Sequence, residues 1–116
     1  MTIQPSGLQP AVADALRDFR SLAIALDGLD SQLRPGFRST LGRQIAGLQV
    51  LHDECAAGEP SRRTWSVGQA AMPVLSSLLN AARKPKVGVD PDIARRCRTS
   101  LNALGGALMD HAEGRT

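Results

Sequence analysis

The chain has 116 residues and a mass of 12.3 kDa, with 42% apolar and 22% charged residues; that is enough for one buried core, too little for two, and too apolar for wholesale disorder. Aromatics make up only 3%, with Phe19, Phe37, Trp65 and no Tyr, so the core must be built from Leu, Ala, Val and Ile, which excludes the aromatic and β-branched interior of a β-sandwich. The formal net charge is +3, yet the stretch from Asn80 to Arg98 holds six basic residues against two acids, a local +4, so the rest of the chain sums to −1.

The ends, residues 1–7 and 114–116, carry no hydrophobic periodicity and are expected to be flexible, leaving residues 8–113 as a single all-α domain. From Leu8 the apolar positions Val12, Leu16, Phe19, Leu22, Leu26, Leu29 and Leu33 recur at gaps of three and four, which predicts one long helix ending at Arg34-Pro35-Gly36. A second stripe, Phe37, Leu41, Ile45, Leu48, Leu51 and Cys55, predicts an antiparallel neighbour about 30 Å long that stops at Gly58-Glu59-Pro60.

The third helix is read as starting at Ser66, whose S-x-x-Q spacing to Gln69 is that of a capping box with Trp65 stapled beneath it. Pro73 then falls inside the stripe Ala71, Val74, Leu75, Leu78 and Ala82, and predicts a kink or a restart near Met72. Asp90-Pro91 marks a fourth helix through Ile93, Cys97, Leu101, Leu104 and Leu108. Gly105-Gly106 within it marks either a close backbone approach or a bend. The expected fold is a single-domain antiparallel bundle of four main helices.

No apolar run is long enough to span a bilayer and no signal-peptide pattern opens the chain, so a cytoplasmic protein without membrane contact is expected. Cys55 and Cys97 are read as buried thiols. His52 and His111 both fall on apolar arcs, His52 at the i−3 position to Cys55, where a hydrogen-bonded pair is expected. A zinc site is not expected, because Cys97 and His111 stand fourteen residues apart on one helix, about 21 Å, and cannot share an ion. A phosphoryl-accepting role for His52 is opposed by the adjacent Asp53 and Glu54. With neither a phosphate-binding glycine loop nor a carboxylate pair that the surface pattern leaves unexplained, the sequence predicts no enzyme, no catalytic residue, no metal and no cofactor.

The charge carries the functional expectation. Arg83, Lys84 and Lys86 follow the third helix, where cations suit the carbonyl end of the dipole, but Arg95, Arg96 and Arg98 stand in the first turns of the fourth, where they are disfavoured. Arg62 and Arg63 form a second cluster beside Trp65, whose indole either stacks a base or staples the helix. These eight residues are the candidate nucleic-acid contacts, suited to phosphate-backbone binding without base reading, to RNA or single-stranded DNA. The size, helical class, scattered arginines and the segment "LGRQIAGLQVL" within "STLGRQIAGLQVLHDEC" resemble the small-subunit family of CRISPR effector complexes. That resemblance implies a non-catalytic bundle in a multi-subunit ribonucleoprotein of antiviral defence. The alternative is a protein-protein interaction module, an adaptor, immunity or antitoxin-like protein or a self-associating bundle, docking an acidic partner.

Overall fold

The computed structural model describes residues 7–112 of the chain. The expected flexibility of both ends therefore falls largely outside the described residues. Four helices follow one another: α1 (Leu8–Ala25), α2 (Phe37–Ala57), α3 (Arg62–Ala82) and α4 (Pro91–Ala112). Each packs on its chain neighbours, and α4 closes the ring against α1, giving an all-α antiparallel bundle. One end carries the starts of α1 and α3 and the finishes of α2 and α4; the other carries the opposite termini.

The first helix is shorter than its apolar stripe implies. It ends at Ala25, and residues Asp27–Gln32 form a 3-10 segment interrupted at Leu29 (φ −120°, ψ 18°). Gly28 lowers helix propensity there, Asp27 is unfavourable at a helix C-terminus, and Asp27 is instead taken by Arg38 of α2. Gaps of three and four between Leu26, Leu29 and Leu33 suit a 3-10 turn as well as a helix, so periodicity alone could not place the break.

The beginning of α3 also differs from the sequence expectation. Its cap is Ser61, five residues before Ser66: Ser61 Oγ accepts from the Thr64 N–H at 3.1 Å. The carboxylate that completes this cap comes from another helix. Glu54 of α2 accepts from the Ser61 N–H and from the Thr64 hydroxyl, both at 2.7 Å. Trp65 therefore lies inside the first turns of α3, half-buried against the core, with its indole N–H donating to the Leu108 carbonyl at 3.1 Å. α3 then continues through Pro73 to Ala82 as one element, so it does not restart there.

The core is aliphatic around Phe19, with Leu22, Leu26, Leu41, Leu48, Leu51, Leu75, Leu79, Leu104 and Leu108 fully buried, each contributing about 1.5–3 kcal/mol by leaving water. No close approach occurs at Gly105-Gly106, where a Cβ would meet nothing within 4 Å; the tight position is Gly68, where a Cβ would stand 3.0 Å from the Leu51 side chain at Cδ2. Gly68 is where α3 seats against α2 and α4.

Two polar residues interrupt this core. Asp18 of α1 is 4% exposed, in line with Ala11, Ala15 and Leu22 on the row facing α4. It accepts from the Ser100 hydroxyl and from Arg17 Nε (3.2 Å), while its backbone carbonyl accepts from the Cys97 thiol at 3.2 Å. A buried carboxylate is costly unless paired in this way.

Candidate nucleic-acid interface

The link from α3 to α4 is built around one apolar anchor. Val87 is 2% exposed and its N–H bonds the Lys84 carbonyl at 2.9 Å, so the turn closes inward on Val87 and leaves Lys84, Pro85 and Lys86 outside in solvent. Gly88 follows at φ +77°, a left-handed conformation that favours glycine. Asp90 then starts α4: its Oδ1 accepts from the Asp92 N–H at 2.9 Å, and Pro91 occupies the first helical position.

Arg83 forms the C-cap of α3, its side chain exposed. Across from it, Arg98 of α4 is half-buried and donates to Asn80 Oδ1 at 2.7 Å and Ser76 Oγ at 3.2 Å, neighbours one turn apart on α3. Both partners are neutral, so the guanidinium is fixed in place while its charge stays uncompensated. Arg95 pairs with Asp92 at 2.6 Å in an exposed i, i+3 bridge of the kind that solvent and salt weaken. Arg83, Arg95 and Arg98 line one groove of about 400 Å³ whose remaining wall is Val89, Pro91 and Ala94. Three guanidinium groups thus face a common space at the positive end of the α4 dipole, with Asp90 and Asp92 as the neighbouring carboxylates.

The other candidates separate from this groove. Lys84 and Lys86 adjoin it in the exposed turn. Arg96 is exposed but lies about 160° around α4 from Arg98, on the flank towards α1. Arg62 and Arg63 occupy the first turn of α3, about 30 Å along the helix from Arg83, at the opposite end of the bundle. Trp65 is held by Leu108 and packed on the core, which removes it as an exposed stacking platform. The contacts that orient Arg98 went unread in the sequence, since Ser76 and Asn80 show only as routine polar positions of another helix.

Burial pushes the Cys97 thiol up to about 12 and raises that of Cys55 as well, which keeps both protonated and unreactive. His52 and Cys55 do not form the expected hydrogen-bonded pair. The Nδ1 atoms of His52 and His111 are buried without a hydrogen-bond partner among the described residues, and the His52 ring lies 3.7 Å from the Asp53 carboxylate. Among the described residues no group of three or more His, Cys, Asp or Glu side chains is arranged to hold a metal ion. Among the described residues no helix is long and apolar enough to cross a membrane. Comparison of the chain with family models, curated proteins and solved structures finds no match.

Proposed function

We propose that the chain is a non-enzymatic helical subunit that binds the phosphates of single-stranded nucleic acid within a larger assembly. The observation that carries this reading is the convergence of Arg83, Arg95 and Arg98 on one groove beside Lys84 and Lys86. Arg98 in particular is held for use by partners that leave its charge unanswered. Guanidinium groups are suited to phosphate oxygens by their fork geometry, and nothing aromatic lines the groove, so binding is independent of base sequence. Fluorescence anisotropy of single-stranded RNA, single-stranded DNA and duplex DNA between 50 and 200 mM salt tests it. Four phosphate contacts give a log-log slope near −3 for single strands and an affinity loss of about fiftyfold over that range. Flat, undetectable binding at 50 mM salt would end this reading.

A protein-protein role is favoured by a separate observation. Between Thr64 and Ala82 α3 contains no charged residue, and its outer positions Ser66, Val67, Ala70, Pro73 and Ser77 are exposed. Pro73 and Ser77 also border a groove of about 460 Å³ reaching Phe37 at the start of α2. A neutral helix face supports a neighbouring protein surface, and the basic end of the bundle supports an acidic one. Light scattering at high protein concentration distinguishes self-association from docking of a different chain.

A further inference from the structure

Resting on the nucleic-acid reading, we propose that the groove of Arg83, Arg95 and Arg98 is a pocket for the terminal phosphate of a single strand, a phosphomonoester, and not a segment of a track for internal phosphodiesters. A track needs cations strung along a surface, and here they are not. Arg62 and Arg63 lie about 30 Å from Arg83 along α3, and Arg96 faces the other flank of α4. Three guanidinium groups instead meet in about 400 Å³.

Charge matching points the same way. Internal phosphodiesters carry one negative charge, whereas a phosphomonoester carries about −1.5 to −2 at pH 7. With Lys84 and Lys86 adjoining the groove and Asp90 and Asp92 at the start of α4, five positive charges stand against two carboxylates, a surplus of three that favours a dianionic end over a monoanionic link. Arg98, anchored on Ser76 and Asn80 through its two terminal nitrogens, supplies a fixed positive charge with N–H groups to spare. Arg95 supplies a movable one: its exposed bridge to Asp92 spans a single helical turn and exchanges readily for a phosphate oxygen. Arg83 closes the site from α3, and Val89, Pro91 and Ala94 form a wall against which an uncharged sugar can lie without base recognition.

The test compares short single strands of one sequence bearing a 5′-phosphate, a 3′-phosphate or hydroxyls at both ends, with the full chain. A phosphoserine peptide serves as a fourth probe. One phosphorylated end is expected to bind about tenfold more tightly than the hydroxyl strand, the equivalent of one added charge-assisted contact. That advantage should vanish in Arg98→Ala and shrink in Arg98→Lys, which keeps the charge and loses the fork. Thermal melting of both variants checks that they fold. Equal affinity for phosphorylated and hydroxyl strands, both weakened by the arginine substitutions, would overturn the terminal pocket while leaving backbone binding intact. Absence of binding to every strand would overturn both, and preferential capture of the phosphopeptide would overturn the assignment to a nucleic-acid end.

Discussion

The links α2–α3 and α3–α4 do the same mechanical work, reversing the chain and starting a helix from a polar cap, yet they treat their polar groups in opposite ways. At the first, Glu54 reaches from the preceding helix to the Ser61 N–H and the Thr64 hydroxyl while Ser61 caps Thr64, so each of these groups is consumed by the fold. At the second, Asp90 alone secures the helix start, and Arg83, Lys84 and Lys86 are left exposed around a buried Val87. A chain that needed only a turn there would manage with Val87, Gly88 and Asp90. Cations beyond that requirement are the ones available for a ligand.

The comparison breaks if the two links respond alike to substitution. The largest effect is expected for Arg83→Ala, Arg95→Ala and Arg98→Ala combined: affinity for single strands with a phosphorylated end falls by at least about tenfold and the salt slope shrinks by about 1, the share of the terminal phosphate these residues neutralise. The melting temperature should fall by only a few degrees, because Arg83 and Arg95 are exposed and the loss is confined to the two hydrogen bonds from Arg98 to α3. The reverse pattern is expected at the other link, where Ser61→Ala lowers stability by about 1 kcal/mol in denaturant titration while anisotropy is unchanged.

A smaller effect is expected from acid. The hydrogen bonds from Ser61 and Thr64 hold the Glu54 carboxyl below its usual value of 4.5. Its contribution is therefore fully present above that value and is lost as pH falls through the lower folded one. Melting curves of the wild type and Glu54→Gln should accordingly converge as the pH falls below the usual carboxyl value of 4.5 and through the lower folded one. The smallest effect is at Gly106, which faces open space: Gly106→Ala should raise stability by up to about 1 kcal/mol without altering binding.

The existence of four helices was legible because gaps of three and four between large apolar residues have one economical interpretation. Their boundaries were legible only where the signal is local. Asp90-Pro91 announces α4 because donor and acceptor lie two residues apart. The start of α3 hid because Ser61-x-x-Thr64 lacks its own acid and borrows one from α2. Asp18 hid for a related reason: the partner that permits its burial, Ser100, lies on the last helix. For the site, the surplus of charge could be counted in advance, but its division between a groove, a flank and the far end of the bundle depends on which side of α4 meets α3.

The Asp18 cluster also sets an order of events during synthesis. Its hydrogen bonds join residues 79 and 82 positions apart, from α1 to Cys97 and Ser100. Until α4 is made, α1 carries a carboxylate on the face that must become buried, with only Arg17 to answer it. The first helix of the bundle therefore waits for the last. The α1–α4 contacts that close the ring, and the pairing that answers the buried carboxylate, can form only once the last helix has been made.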